Sequence, residues 1–202
     1  MKLICVGRNY AAHAHELGNA APEEPILFIK PDTAVLKNNA EFYIPEFSND
    51  VHYEVEILVK ICKTGKYIQP EFAQNYYNEI GLGIDFTARD IQNKLKAEGK
   101  PWEKAKAFDG AALIGKFYPK EQFNTKNLSF GLLKNNELVQ QGNTSEMLFS
   151  IDDLLVEISK YFTLKQGDII FTGTPKGVGK VEINDVLKGI LQDEENFSVQ
   201  IK

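Results

Sequence analysis

The stretch Val51-His52-Tyr53-Glu54-Val55-Glu56-Ile57-Leu58-Val59 decides how this chain folds. Its β-branched, alternating pattern predicts a strand. Residues two apart on a strand point the same way, so His52, Glu54 and Glu56 are expected on one face and Tyr53, Val55 and Ile57 on the other. Two carboxylates beside each other in an apolar strand repel and resist desolvation, so the pattern indicates a positive partner between them.

A third carboxylate ends the next apolar run. Asp85 follows Ile80-Gly81-Leu82-Gly83-Ile84, which also predicts a strand. Three converging carboxylates with no cysteine nearby suit a hard, oxygen-preferring cation such as magnesium or manganese. The alternative is that Glu54 and Glu56 lie on a solvated strand face, because motifs of this length recur without function.

The remaining pattern predicts many short strands and a few scattered helices, which favours an α+β, β-rich fold in a single domain over residues 1–202. Helices are predicted over Ala11–Leu17, ended by Gly18-Asn19, over 88–98, and over 151–161, where Ser150 and Asp153 form a capping pattern. The predicted strands cover residues 2–6, 26–29, 41–44, 51–62, 80–86, 111–117, 128–133, 137–140, 168–172, 185–191 and 196–201.

The composition is that of an ordinary globular protein, with 43% hydrophobic and 25% charged residues in 202. A net charge of -5 argues against general nucleic-acid binding. No apolar run approaches the roughly 20 residues that cross a bilayer, so no membrane partner is expected. Cys5 and Cys62 lie in predicted apolar strands, which favours reduced core thiols and a cytoplasmic location.

Arginine is used sparingly: of 23 basic residues, only Arg8 and Arg89 are arginine. The planar guanidinium holds a carboxylate or phosphate in two places, so these positions indicate anion recognition. A plain salt bridge is the alternative for each.

Two further groups have catalytic potential. His13 and Glu16 share a helical face, where a carboxylate would orient the imidazole as a general base, although either His13 or His15 would then be idle. Lys106 lies beside apolar Ala107-Phe108 and is suited to stabilising an oxyanion, the alternative being an exposed surface lysine.

The glycine-rich segment 172–180 is not a phosphate-binding loop. No glycine stands at the required interval before Gly179-Lys180, and Val181 replaces the required serine or threonine. The segment is expected to present hydroxyls and backbone amides after a strand, or to be a plain β-turn.

Taken together, these motifs resemble the fumarylacetoacetate hydrolase superfamily, in particular its short, single-domain members similar to acylpyruvases and oxaloacetate decarboxylases. The resemblance covers nearly the whole chain in order. The matching stretches are Val6–Tyr10 with His13 and Glu16, Leu27–Pro31, His52–Glu56, Asp85–Gln92, Gly99–Trp102 with Lys106, Gln140 with Gly142, and Gly167–Gly179.

The resemblance implies a mixed β-roll, normally a homodimer, with Mg²⁺ or Mn²⁺ bound by Glu54, Glu56 and Asp85. His13 and Glu16 would be a catalytic dyad on a lid, and Lys106 would stabilise charge. The substrate-binding residues would be Arg8, Lys30, Arg89, Gln92 and Thr174. Asp32 and Ala12 depart from residues that the family often carries, and Asp32 could pair with Lys30 or repel an anion.

The implied substrate is a small 2-oxo acid whose C3–C4 bond is cleaved through an enolate that the metal and Lys106 stabilise, by acylpyruvate hydrolysis, oxaloacetate decarboxylation or both. The alternative is an isomerase, tautomerase or hydratase of 2-oxo or 2-hydroxy-diene dicarboxylates, including oxaloacetate. A metal-binding protein without catalysis is the third alternative.

Overall fold

The computed structural model describes residues 1–16, 18, 20–36 and 40–202. The strands are β1 (Leu3–Gly7), β2 (Ile26–Lys30), β3 (Val51–Tyr53), β4 (Val55–Ile61), β5 (Tyr77–Asp85), β6 (Thr87–Ala88), β7 (Ala112–Pro119), β8 (Ser129–Lys134), β9 (Glu137–Asn143), β10 (Ile169–Phe171), β11 (Gly179–Lys180), β12 (Val186–Leu191) and β13 (Glu194–Gln200). The α-helices are α1 (Ala11–Glu16), α2 (Arg89–Ala97), α3 (Glu103–Lys106) and α4 (Ile151–Tyr161). Short 3₁₀ helices cover Asp32–Ala34, Pro70–Asn75, Lys120–Gln122 and Thr144–Glu146.

In the described ranges the strands form three sheets. The largest has the order β2-β1-β10-β4-β5-β7, and the others are β11-β3-β6 and β13-β12-β8-β9. The large sheet is mixed, because β1 pairs with β10 in parallel while its other neighbours pair antiparallel. This β-rich architecture with a few short helices is the fold class that the sequence predicts.

Three neighbouring strands of the large sheet are each connected along the chain to a strand of the three-stranded sheet, and the three connections lie side by side. The order β10-β4-β5 in the large sheet becomes β11-β3-β6 in the small sheet. The crossing points are Glu54 between β3 and β4, Phe86 between β5 and β6, and the 172–178 loop between β10 and β11. The backbone amide of Asp85 donates to the carbonyl of Glu54 over 2.9 Å, which ties two crossings together. We call this junction the seam.

The core explains why these segments become strands. Their alternate apolar side chains, such as Ile57, Ile80, Leu82 and Leu132, are fully buried in one cluster. Helix α4 adds Leu154 and its neighbours to the same cluster, and its N-terminus carries the predicted capping box between Ser150 and Asp153.

Two strand predictions need correction. The predicted strand 51–62 is interrupted at Glu54, because β3 pairs with β6 and β11 whereas β4 pairs with β5 and β10. The predicted strand 41–44 is reduced to one isolated bridge between Phe42 and Ile201, just before Pro45. The predicted end of the first helix, Leu17 and Asn19, lies outside the described residues.

Both cysteines are free thiols, as predicted, with Cys5 buried and Cys62 partly so. No helix in the described part of the chain is long and apolar enough to span a membrane.

Gly83, opposite Glu56 on β5, lets the strands that carry the seam approach closely. A Cβ there would lie 2.3 Å from the carbonyl oxygen of Leu113 and 2.8 Å from Leu58 Cδ1. We therefore expect Gly83→Ala to lower the free energy of unfolding by about 1–3 kcal/mol, the usual cost of overpacking, as measured by urea denaturation.

Gly7→Ala is the matched control, because a Cβ on this strand residue would meet nothing closer than 3.7 Å. Its free energy of unfolding should stay within about 0.5 kcal/mol of the wild type. Equal effects of the two substitutions would contradict the close-approach explanation.

Candidate active site

The seam buries three carboxylates. Glu54, Glu56 and Asp85 are exposed by 5%, 2% and 1%, and each offers an oxygen within 4.8 Å of the others'. Glu54 lies at the strand interruption, and Asp85 is the last residue of β5. The predicted metal ligands are thus brought together, and the solvated-face alternative for the Glu54–Glu56 pair is wrong.

Cations neutralise part of this cluster. The Arg89 guanidinium pairs with one oxygen of Glu54, and the Lys106 ammonium lies 2.7 Å from the other. Lys106 also lies 2.8 Å from Asp85 Oδ2, while the Lys30 ammonium lies 2.7 Å from Asp85 Oδ1. Each cation therefore contacts Glu54 or Asp85.

Of the three carboxylates, Glu56 is the one whose negative charge is least balanced by nearby cations. The Gly173 amide donates to Glu56 Oε2 over 2.7 Å. Gly173 has a φ of 102°, and a Cβ at this position would lie 2.7 Å from Asn9 Cβ. Burial, followed by the charges of Asp85 and Glu54, raises the pKa of Glu56 well above its ordinary value. Although burial also raises the pKa of Glu54, the Lys106 and Arg89 charges outweigh it and hold that pKa far below its ordinary value.

A divalent cation fits this donor set. Three buried carboxylates from three points of the chain present only oxygen, the ligand that Mg²⁺ and Mn²⁺ prefer. Such an ion would also offset the repulsion that Glu56 suffers. The residues that would hold it are Glu54, Glu56 and Asp85.

Lys106 is fully integrated into the site. It ends helix α3, and its ammonium donates to Glu54, Asp85 and the Thr87 hydroxyl at 2.7, 2.8 and 2.6 Å. Burial by itself lowers the pKa of Lys106. The Asp85 and Glu54 carboxylates raise this pKa by more than burial lowers it, so the pKa lies above its ordinary value. Lys106 therefore remains positively charged, and the surface-lysine alternative is wrong.

Helix α1 brings His13 into the same cleft. His13 is 4% exposed, and its Nδ1 lies 3.2 Å from Glu16 Oε2, while the Gly177 amide donates to Glu16 Oε1 over 2.9 Å. Burial lowers the pKa of His13 below its ordinary value, against the opposing effects of Glu54 and Glu16. The imidazole is thus neutral near pH 7, and the exposed His15 is the residue without a place in the cleft.

The predicted substrate-binding residues fall into two groups. Arg89, Gln92, Arg8 and Thr174 line the cleft, where Arg89 Nη1 donates to Gln92 Oε1 over 2.6 Å. Lys30 lies behind Asp85 with no exposed surface, and its ammonium also contacts the carbonyls of Lys106 and Ala111.

The Asp32 departure leaves the site unchanged. Asp32 is exposed, whereas Lys30 is buried and pairs with Asp85 instead. The pairing of Lys30 with Asp32 that we considered from the sequence is therefore wrong.

The free volume of the cleft is about 30 Å³, which leaves room for water-sized groups between these side chains. Its wall includes Lys96, Phe28 and Trp102, for which the sequence reasoning assigned no role. Lys96 follows Arg89 by seven residues and Gln92 by four on α2, so helical periodicity could have placed it on the same face.

Known proteins are similar to this chain in sequence and in fold. The family profile described as fumarylacetoacetate hydrolase C-terminal matches residues 2–202. Oxaloacetate tautomerase YcgM of Escherichia coli is 44% identical over 188 residues, covering 92% of this chain and 86% of that protein. The human mitochondrial oxaloacetate tautomerase FAHD1 is 41% identical over 187 residues, covering 92% and 85%.

Solved structures agree with this relationship. A fumarylacetoacetate hydrolase family protein from Yersinia pestis superposes with a TM-score of 0.95 at 40% identity, covering 100% of this chain and 93% of the other. Fumarylpyruvate hydrolase from Pseudomonas aeruginosa, in complex with Mn²⁺ and pyruvate, superposes with a TM-score of 0.93 at 36% identity, covering 100% and 89%. With the carboxylate cluster and the fold in agreement, the chain belongs to the fumarylacetoacetate hydrolase family.

Proposed function

We propose that this protein is a divalent-metal-dependent oxaloacetate tautomerase, which interconverts the keto and enol forms by moving a proton at carbon 3. The observation that carries the proposal is the placement of a neutral His13, hydrogen-bonded to Glu16, and a protonated Lys106 in one cleft with three carboxylates. The shared name of the bacterial and human relatives favours oxaloacetate as the substrate.

His13 is the base in this scheme. Its Nδ1–H donates to Glu16, which leaves the Nε2 lone pair to remove a proton from carbon 3. The electrons of the broken C–H bond form the C2–C3 double bond, and the keto oxygen becomes an enolate oxygen. The imidazolium, stabilised by Glu16, then returns the proton to that oxygen and regenerates neutral His13.

Lys106 supplies charge. Its raised pKa keeps the ammonium protonated, so it stabilises the developing enolate and does not compete with His13 as a base. Lys30 and Arg89 position the site by holding Asp85 and Glu54.

Glu54, Glu56 and Asp85 would hold the metal, which when bound supplies a Lewis acid for the substrate oxygens. The Mn²⁺ complex of the Pseudomonas enzyme supports Mn²⁺ as that ion, and the all-oxygen donor set suits Mg²⁺ as well. A homodimer and a cytoplasmic location remain predictions.

Cleavage of the C3–C4 bond, the first expectation from the sequence, is the second candidate. The fold neighbour named fumarylpyruvate hydrolase favours it, and the same His13–Glu16 pair is suited to activating water for attack on a carbon-4 ketone. Decarboxylation of oxaloacetate needs the same enolate but no water.

A proton NMR time course in D₂O separates these reactions. With Mg²⁺ or Mn²⁺ and oxaloacetate, we expect exchange of the carbon-3 protons above the metal-only rate, with the carbon chain intact. Pyruvate from oxaloacetate above background would identify a decarboxylase, and acetate with pyruvate from acetylpyruvate an acylpyruvate hydrolase. Metal binding without any of these changes would favour a non-catalytic protein.

Replacing Lys106 tests its charge. Lys106→Met should lower kcat by about 100-fold or more, because one electrostatic donor to an oxyanion is worth roughly 10²–10³ in rate. Lys104→Met is the matched control, since Lys104 is exposed on the same helix. Wild-type kcat in Lys106→Met would remove this residue from the mechanism.

Replacing Glu56 tests the metal site. Glu56→Gln should weaken Mn²⁺ binding at least about 100-fold, since even partners outside the ligand shell are worth 10–100-fold. In metal-free buffer its Tm should equal or exceed that of the wild type, because a buried repulsion is removed. Calorimetric titration and thermal denaturation provide the readouts, with exposed Glu71→Gln as the control; unchanged Mn²⁺ affinity in Glu56→Gln would contradict the ligand assignment.

A further inference from the structure

The cleft contains more cations than its carboxylates neutralise. Lys30, Arg89 and Lys106 contact the carboxylate cluster, whereas Arg8 and Lys96 line the same cleft without an ion pair to any described carboxylate. Two uncompensated, partly buried positive charges beside a substrate cleft attract an anion.

Lys96 is held in place by aromatic packing. Its ammonium lies 5.4 Å from the centroid of the Trp102 ring, and Trp102 packs on Phe28 with the ring centroids 6.0 Å apart. The side chain is half-buried on the face of α2 that carries Arg89 and Gln92 into the cleft. A lysine placed against an apolar wall in this way keeps its charge directed toward a cleft ligand.

The environment of Lys96 is short of negative charge. Burial lowers the pKa of Lys96 to about 8, and the charges of Arg89 and Arg8 contribute in the same direction. A carboxylate bound beside it would relieve that repulsion and restore its pKa.

Arg8 reaches the cleft from a different element. It follows β1 with φ 59°, in the left-handed region that non-glycine residues rarely adopt. The neighbouring Asn9 fixes this turn, because its Nδ2 donates to the carbonyl of Thr172 over 2.8 Å and its Oδ1 accepts from the amide of Phe149 over 2.8 Å. Arg8 and Lys96 are therefore both set by ordered neighbours.

We propose that Lys96, together with Arg8, forms a subsite for the distal carboxylate of a 2-oxo dicarboxylate, and that Lys96 determines the preference for dianionic over monoanionic substrates. The proposal rests on the proposed function for the identity of the 2-oxo acid end, and it applies equally to tautomerisation and C3–C4 cleavage. Arginine provides a planar fork and lysine a point charge, a combination suited to one carboxylate.

Malate and lactate form the test pair, because they are inert 2-hydroxy acids that differ by the distal carboxylate. Dissociation constants are measured by isothermal titration calorimetry on the Mg²⁺-loaded protein. The wild type should bind malate at least about 10-fold more tightly than lactate, the value of one charged hydrogen bond. Lys96→Gln should lose that advantage while its lactate affinity changes less than about twofold.

Lys94→Gln is the matched control, because Lys94 is exposed on the same helix. It should retain the wild-type preference, and Lys96→Arg should restore most of it. Equal weakening of malate and lactate in Lys96→Gln would overturn the proposal and assign Lys96 a structural role. Equal affinities of the wild type for malate and lactate, or no malate binding, would overturn it as well.

The pH dependence supplies a second readout. The charged groups that act on Lys96 are Arg8, Arg89, Glu54 and Lys106; the pKa of Glu54 is lowered and that of Lys106 is raised, so both move away from pH 8. Wild-type malate affinity should therefore fall as the pH rises through about 8, while lactate affinity and the malate affinity of Lys96→Arg stay level.

Failure of this proposal is distinguishable from failure of the proposed function. Calorimetry on inert acids reports the subsite without turnover, whereas the NMR time course reports the reaction. A malate preference that depends on Lys96 in a protein without turnover would reject the reaction and keep the subsite.

Discussion

Three carboxylates buried within 4.8 Å of one another are the constraint around which this structure is arranged. Carboxylates so close in the protein interior repel strongly and lose their hydration, so the fold must supply positive charge and hydrogen-bond donors at the same place. Lys30, Lys106 and Arg89 supply the charge, and the Gly173 amide supplies a donor. These groups come from a strand, two helices and a glycine-rich loop, which explains why so many elements meet at the seam.

The same arrangement provides the chemistry. The carboxylates that hold the Lys106 ammonium also keep it protonated, while burial keeps His13 neutral. One cleft therefore contains a stable positive charge and a free base, the two groups that enolate formation needs. The proposed enolate is common to tautomerisation and to C3–C4 cleavage, which agrees with relatives that carry the names of a tautomerase and of a hydrolase on one fold.

Much of the site was predictable from local pattern. The spacing of Glu54 and Glu56, the apolar run before Asp85, the helical interval between His13 and Glu16 and the capping box at Ser150 all act over a few residues, and each appears in the structure. Helical periodicity could also have placed Lys96 on the cleft-facing side of α2, but Lys96 belongs to no recognisable motif. The interruption at Glu54 was not predictable, because the residues on either side of it have equal strand character.

The amino-acid sequence by itself determined which residues can take part in the chemistry and where most of the strands and helices lie, because propensity, periodicity and capping are local properties. Only the tertiary structure decided which position each of those residues occupies in the site. It placed Lys30 behind Asp85, Arg89 on Glu54, and Arg8 beside the same cleft as Lys96. Those positions depend on the seam, where three neighbouring strands of the large sheet connect to the three-stranded sheet. Packing of the whole core selects which distant strands pair with each other.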